Sequence, residues 1–184
     1  MTPPYGRAVF LDRDGVLNAA IVRDGKPYAP ETVQDFRILP GVREACETLR
    51  SIGFRTVVVT NQPEVGRGSM TQASVEEMHR KLRELVPIDR IEVCYDPGRG
   101  APSAFRKPAP GMLLRAANEL NLDLARSFMI GDRWRDIDSG HAVGCKTILI
   151  DYGYDEELSK PPHYRAPDLS SAVQIILSLE ETHK

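Results

Sequence analysis

Short apolar runs alternate with amphipathic segments along most of the chain. Apolar runs typical of buried strands cover 8–11, 56–60, 91–94, 127–130 and 146–150. Apolar residues at helical spacing predict helices over 41–52, 72–86, 110–121 and 135–143, and a last helix that Ser170 caps and that runs to about 179. Continuous apolar strands that alternate with helices are typical of a parallel sheet covered on both faces. The sequence therefore predicts an α/β fold with a doubly wound parallel sheet, whose ligands bind beyond the carboxyl ends of the strands.

Length and composition limit the class of protein. The 184 residues suffice for a single domain, 1–184, with a real core. The net charge of −2 predicts no nucleic-acid or membrane-surface partner. No apolar run approaches the roughly 20 residues of a membrane helix, and the first seven residues lack the pattern of a signal peptide. The three scattered cysteines, Cys46, Cys94 and Cys145, fit a reducing compartment. We therefore expect a cytoplasmic monomer.

Four polar clusters lie where a parallel sheet of this kind places its ligands. Three of them follow predicted strands and one precedes a helix: Asp12-Arg13-Asp14-Gly15, Thr60-Asn61-Gln62, Gly131-Asp132-Arg133 with Asp136 close behind, and Arg106-Lys107-Pro108. Each cluster alone is typical of an ordinary solvated turn. Their joint placement at one sheet edge predicts a single site.

The residue types in these clusters suit phosphoryl transfer. Asp12, Asp14 and Asp132 would form a carboxylate cluster that repels itself unless a cation is present. Hard oxygen ligands favour Mg²⁺, which binds through few carboxylates together with substrate phosphate. Lys107 would add a positive charge and Thr60 a hydroxyl donor. Positioning and charge stabilisation of this kind do most of the work in phosphoryl transfer.

The clusters, in this order, resemble the haloacid dehalogenase (HAD) superfamily of phosphohydrolases. The resemblance rests on Phe-Leu-Asp-Arg-Asp-Gly-Val-Leu-Asn, Val-Val-Val-Thr-Asn-Gln, Arg-Lys-Pro and Ile-Gly-Asp-Arg-x-x-Asp-Ile, and it extends from Phe10 to about Ile150. More narrowly, the chain is similar to the histidinol-phosphate and D-glycero-D-manno-heptose 1,7-bisphosphate phosphatases. The stretches 60–68 and 106–112 look more like the heptose enzymes.

The resemblance implies a role for each matching position. Asp12 would be the nucleophile that forms an aspartyl-phosphate, and Asp14 the general acid and then base. Thr60 and Lys107 would contact the phosphoryl group. Mg²⁺ would be held by Asp12, the backbone carbonyl of Asp14 and Asp132, with Asp136 supporting the metal or Lys107. The substrate contacts expected on the same basis are Arg13, Asn61, Gln62, Arg67, Arg106 and Arg133. The implied partner is a small phosphorylated sugar.

One departure from the family pattern concerns a zinc loop. The family carries Cys-x-His and then Cys-x-Cys before Arg-Lys-Pro. Here Cys94 is present, but Asp96, Ser103 and Phe105 replace the other three ligands. Because a structural Zn²⁺ needs four nitrogen or sulfur ligands, we predict that no zinc is bound and that packing or substrate orders the loop 95–105.

Other functions remain open at this stage. Histidinol phosphate is the nearest alternative substrate. A non-enzymatic phosphoacceptor switch is also doubly wound and acidic, but it lacks the Asp-x-Asp spacing that gives Asp12 a neighbouring acid and base. A phosphotransferase or mutase of the superfamily normally carries a larger cap. The segment 19–40 is long enough only for a small flap, so we expect a minimal cap or none.

Overall fold

The computed structural model describes residues 6–101 and 103–182. Its strands are β1 Arg7–Leu11, β2 Ile21–Arg23, β3 Lys26–Tyr28, β4 Phe54–Asn61, β5 Arg90–Cys94, β6 Phe128–Gly131, β7 Lys146–Ile150 and β8 Tyr164–Ala166. Its helices are α1 Val42–Ser51, α2 Pro63–Gly66, α3 Gln72–Leu85, α4 Gly111–Leu120, α5 Trp134–Ala142 and α6 Leu169–Glu181, with a 3₁₀ turn at Leu124–Arg126. The signal-peptide expectation falls largely on 1–5, outside the described residues.

Six parallel strands form one sheet in the order β5-β4-β1-β6-β7-β8. This confirms the predicted α/β fold with a parallel sheet. β1 lies near the centre, and its last four residues are fully buried. Two buried apolar clusters pack beside the strands. One includes Cys46 and Leu49 of α1, and the other includes Met112 and Leu113 of α4. Helices therefore cover the sheet, and the strand ends are left for the polar clusters.

The start of α6 differs from the prediction, and two short strand pairings were not predicted. Asp168, not Ser170, caps α6, because its carboxylate accepts a hydrogen bond from the Ser171 N–H at 2.7 Å. Ser170 lies inside the helix. β8 was not predicted, because it has only three residues and the central one is an exposed arginine. The predicted flap contains the antiparallel hairpin β2–β3.

None of the helices within the described ranges is long and apolar enough to cross a membrane.

Candidate active site

The order of the strands in the sheet brings the carboxylates of Asp12 and Asp132 together. β1 and β6 are neighbours, and the pairing continues past the end of β1, where the Asp12 N–H donates to the Ile130 carbonyl at 2.9 Å. Asp132 follows directly after β6. Oxygen atoms of Asp12, Asp132 and Asp136 lie within 4.8 Å of one another. Sequence positions more than a hundred residues apart thus form one acidic cluster.

Lys107 is the counter-charge of this cluster. Its Nζ lies 2.9 Å from Asp12 Oδ1 and 2.6 Å from Asp136 Oδ1, and it donates to the Val59 carbonyl at 2.7 Å. All three ammonium hydrogens therefore have acceptors. Burial alone would lower the pKa of this lysine, but Asp12 and Asp136 outweigh it and raise that pKa to about 12. Lys107 is a fixed, buried positive charge.

The two oxygens of Asp12 have different surroundings. Oδ1 faces Lys107 and accepts the Arg13 N–H at 2.7 Å. Oδ2 accepts no hydrogen bond from the described residues. One oxygen is thus held in place while the other is available for a ligand or an electrophile. Burial, followed by the charge of Asp136, raises the pKa of Asp12 to about 7 against the opposing effect of Lys107.

Asp132 shows most directly that the cluster fits a metal ion. The residue is 5% exposed, and within the described chain neither carboxylate oxygen has a hydrogen bond of acceptable geometry. Burial, with the charges of Asp12 and Asp136, raises the pKa of Asp132 well above its ordinary value, although the nearby Tyr154 hydroxyl and Lys107 favour ionisation. Orphaned, buried oxygens are costly unless a cation binds them. An all-oxygen donor set fits Mg²⁺.

Gly15 allows Asp132 to approach this closely. It has φ +87°, and a Cβ atom at this position would overlap the Asp132 carboxylate. The turn after β1 therefore requires glycine for two reasons, the left-handed backbone and the space occupied by a site residue.

Asp14 lies outside the acidic cluster and is held by hydrogen-bond donors. Its Oδ1 accepts from Arg13 Nε and Nη2 and from Asn18 Nδ2 at 2.9 Å, and its Oδ2 accepts from Arg13 Nη2 and from Gln62 Nε2 at 2.8 Å. Arg13 and Gln62 are completely buried and do not line the cavity. The structure thus places these two proposed substrate contacts behind Asp14, where they orient it.

The polar side chains that follow β4 mainly form hydrogen bonds to other residues of the site. Asn61 donates from Nδ2 to the Lys107 carbonyl and accepts the Lys107 N–H at Oδ1, both at 3.0 Å. This pairing fixes the backbone from which Lys107 reaches the cluster. Thr60 is fully buried, accepts a hydrogen bond from Gln62 at 2.9 Å, and is not a cavity-lining residue. Direct contact between Thr60 and a phosphoryl group stays a prediction.

A cavity of about 250 Å³ opens over the acidic cluster. Of the other predicted substrate contacts, Arg67, Arg106 and Arg133 line it, as does Asn61. The lining also contains residues that the sequence reasoning missed: Lys26, Pro27, Tyr28 and Ala29 of the hairpin, Glu64 of α2, and Arg135 of α5. For the hairpin residues, the sequence indicated only that they belong to a small flap, and not that they line the cavity. Glu64 lies within the stretch 60–68 that resembles the heptose enzymes, but no role was assigned to it. Arg135 gave no signal, because a charge on a short helix resembles an ordinary solvated face.

Side chains of neighbouring elements hold residues 95–97, at the start of the loop 95–105. Arg106 Nη1 donates to the Asp96 carbonyl at 2.8 Å, and Arg67 Nε donates to the Pro97 carbonyl at 3.1 Å. Tyr95 donates its hydroxyl to Glu76 Oε1 at 2.7 Å. Two arginines that line the cavity therefore also hold the loop.

Gly98→Ala should loosen this attachment. Gly98 has φ +74°, and a Cβ there would lie 2.8 Å from Arg106 Nη2 and 2.9 Å from its Cζ, so the guanidinium must move away. Gly100→Ala is the matched control, since Gly100 has φ +88° but no atom within 4 Å of the added Cβ. Backbone strain of about 1–2 kcal/mol is common to both. We expect faster proteolysis of the loop and a larger loss of stability in Gly98→Ala. Equal proteolysis rates and equal urea midpoints in the two variants would contradict this account.

Comparison with known proteins identifies the family. The HAD-hydrolase-like family model matches residues 104–172. The D-glycero-D-manno-heptose-1,7-bisphosphate 7-phosphatase of Thermosynechococcus vestitus is 33% identical over 191 residues, covering 92% of this chain and 94% of that protein. The D-glycero-beta-D-manno-heptose-1,7-bisphosphate 7-phosphatase of Yersinia pestis is 39% identical, covering 78% and 79%.

A solved structure agrees with these relatives. The D,D-heptose 1,7-bisphosphate phosphatase of B. bronchiseptica, complexed with magnesium and phosphate, superposes with a TM-score of 0.77 at 27% identity, over 94% of this chain and 98% of that one. These relatives confirm the predicted phosphatase activity and not the alternative of a non-enzymatic phosphoacceptor switch. The chain belongs to the HAD phosphatases, in the family of the D-glycero-D-manno-heptose-1,7-bisphosphate 7-phosphatases, and is a phosphoric monoester hydrolase.

Proposed function

We propose that this enzyme removes the C7 phosphoryl group of D-glycero-D-manno-heptose 1,7-bisphosphate with the help of Mg²⁺. The observation that carries the proposal is the polarity of the cavity. The carboxylates of Asp12, Asp132 and Asp136 are little exposed, whereas the more exposed lining residues are rich in cationic side chains. These more exposed cations are Lys26, Arg67, Arg106, Arg133 and Arg135. A metal-bound phosphoryl group beside the carboxylates and a second anionic group beside the more exposed cations fit this lining.

Asp12, Asp132 and the Asp14 backbone carbonyl would hold the Mg²⁺. The ion would neutralise charge on the transferring phosphoryl group. Asp136 is already engaged, because Lys107 takes its Oδ1 and the Arg133 N–H donates to its Oδ2 at 3.1 Å. We therefore assign Asp136 to the support of Lys107. That the related B. bronchiseptica structure contains magnesium and phosphate supports this choice of cation.

The proposed reaction has two displacements at phosphorus. An Asp12 carboxylate oxygen bonds to phosphorus as the bond from phosphorus to the C7 oxygen breaks, and protonated Asp14 gives its proton to that leaving oxygen. Water then attacks the aspartyl-phosphate, Asp14 takes a proton from the water, and Asp12 leaves as a carboxylate. Lys107 holds Asp12 and offsets negative charge throughout. To meet the leaving oxygen, Asp14 must turn one oxygen away from its present donors.

The charge of the cavity favours a bisphosphate over histidinol phosphate. Histidinol phosphate carries an amine and an imidazole, which would meet the cationic part of the cavity. A sugar bisphosphate places a second phosphate there instead. Glu64 adds an acceptor suited to a sugar hydroxyl, because its Oε2 is buried without a hydrogen-bond partner in the described chain.

Phosphate release with Mg²⁺ tests the proposal. The substrates are both anomers of D-glycero-D-manno-heptose 1,7-bisphosphate, with histidinol phosphate alongside. We expect a kcat/KM of about 10⁴ M⁻¹s⁻¹ or more on one heptose anomer, far above that on histidinol phosphate. Weak release from all three compounds would reject the substrate while leaving the phosphatase chemistry in place.

The metal requirement is tested separately. Dialysis against EDTA should abolish phosphate release, and added Mg²⁺ should restore it. Elemental analysis of the undialysed protein should show no stoichiometric zinc. One zinc per chain, or activity that withstands complete chelation, would contradict the metal assignment.

A further inference from the structure

Four arginines line the cavity, and they differ in their partners. Arg67 donates to the Pro97 carbonyl. Arg106 donates to the Asp96 carbonyl, and Arg133 forms an ion pair with Glu156, with its Nε 3.1 Å from Glu156 Oε2. Arg135 has neither kind of partner: across 6–101 and 103–182 it makes no hydrogen bond and no ion pair. Its guanidinium lies over the ring of Trp134, with 4.9 Å between the guanidinium carbon and the ring centroid. Of the four arginines that line the cavity, Arg135 is therefore the one without a hydrogen bond or ion pair in the described chain.

The two carboxylates whose charges act on Arg135, those of Glu156 and Asp136, are already engaged by other groups. Both oxygens of Glu156 face Arg133, and both oxygens of Asp136 are taken by Lys107 and the Arg133 N–H. Burial and the charges of Arg133 and Arg106 lower the pKa of Arg135, with Glu156 opposing. An arginine stays protonated even so. A half-buried cation among cations is stabilised when an anion from solution joins it.

The surroundings of Arg135 also leave its donors usable. The indole of Trp134 covers the guanidinium without accepting a hydrogen bond, and the N–H groups of a guanidinium lie in its plane. The residue lines the same cavity as Asp12 and Asp132. A phosphoryl group would satisfy these donors better than any other anion of a sugar, because its oxygens match the fork of the guanidinium.

We propose that Arg135 is a specificity-determining residue that binds the phosphoryl group that the enzyme does not cleave. This inference rests on the proposed function, since it presupposes a substrate with a second phosphate. It assigns the role to a residue that the family motifs of the sequence did not single out. Arg106 and Arg133 then flank the bound phosphate, each held in place by its own protein partner.

The test is a change in substrate selectivity. We define selectivity as kcat/KM on the heptose bisphosphate divided by kcat/KM on p-nitrophenyl phosphate. Arg135→Gln should lower this ratio about 10–100-fold, as expected for lost hydrogen bonds to a charged group, mainly through a higher KM on the bisphosphate. Arg135→Lys should recover part of the ratio. Arg126→Gln, an exposed arginine that does not line the cavity, should keep it. An unchanged ratio in Arg135→Gln, measured on protein with wild-type thermal unfolding, would overturn the assignment.

A second measurement separates this inference from the choice of heptose substrate. If the wild type hydrolyses p-nitrophenyl phosphate but ignores the heptose bisphosphate, the proposed substrate fails. Fructose 1,6-bisphosphate and fructose 6-phosphate are then compared as competitive inhibitors. Tighter inhibition by the bisphosphate in the wild type, reduced at least tenfold in Arg135→Gln, would support the role of Arg135. The same preference in both proteins would refute it.

Discussion

Asp12→Asn should lower the rate of phosphate release by about 10⁴-fold or more while the protein stays folded. The amide cannot attack phosphorus, and nucleophile substitutions in enzymes with covalent intermediates cost on this order. The fold should tolerate the change because it removes one of three mutually repelling carboxylates. Phosphate release with excess enzyme, together with circular dichroism and thermal unfolding, measures both effects.

Asp14→Asn is the matched variant for this experiment. It removes the acid and base but leaves the nucleophile, and p-nitrophenolate can leave without a proton. Acid-quenched protein incubated with p-nitrophenyl phosphate should therefore still carry substrate-derived phosphate. Asp12→Asn should carry none. Asp155→Asn, on an exposed aspartate, controls for loss of charge alone. Turnover above about one per cent of wild type in Asp12→Asn would reject the covalent mechanism.

Lys107→Met should cost about 3–5 kcal/mol in the free energy of unfolding and should also abolish turnover. Lys107 is 2% exposed, and its ammonium faces two carboxylates. Removing one partner from a buried charge group leaves the others uncompensated. Urea unfolding at pH 7.5 in EDTA reports the stability without added metal.

A double variant separates the structural and catalytic parts of this effect. Adding Asp136→Asn to Lys107→Met removes one of the two facing carboxylates, so part of the stability should return while turnover stays lost. Lys160→Met, on an exposed lysine, should unfold like the wild type. If Lys107→Met proved as stable as Lys160→Met, the buried ion pairs would contribute nothing to the fold.

Periodicity predicted the fold well because the main strands and helices have clear patterns. The buried run of β4 and the apolar stripe of α1 illustrate this. The errors fall where local pattern is weak. β8 has three residues, and the cap of α6 shifted from Ser170 to Asp168 because several residues near that helix start can accept a hydrogen bond from it.

Motif spacing predicted which residues meet, but not which way their side chains turn. The structure places Lys107 Nζ 2.9 Å from Asp12 Oδ1. Arg13 and Gln62 turn inward behind Asp14, since burial and hydrogen bonding to that carboxylate decide their direction. Arg135 gave no signal at all, because its role depends on what surrounds it in three dimensions.

Because the Asp132 oxygens have no hydrogen-bond partners in the described chain, catalytic activity and thermal stability place opposite demands on this position. A neutral side chain at this position would relieve repulsion in metal-free protein and so make the protein harder to melt, while removing an expected metal ligand. Heat screens run without metal would therefore enrich inactive variants at this position. Screens that also select for turnover would have to find stabilising substitutions at other positions. The helix surfaces offer such sites, for example the exposed Leu85 and Leu114.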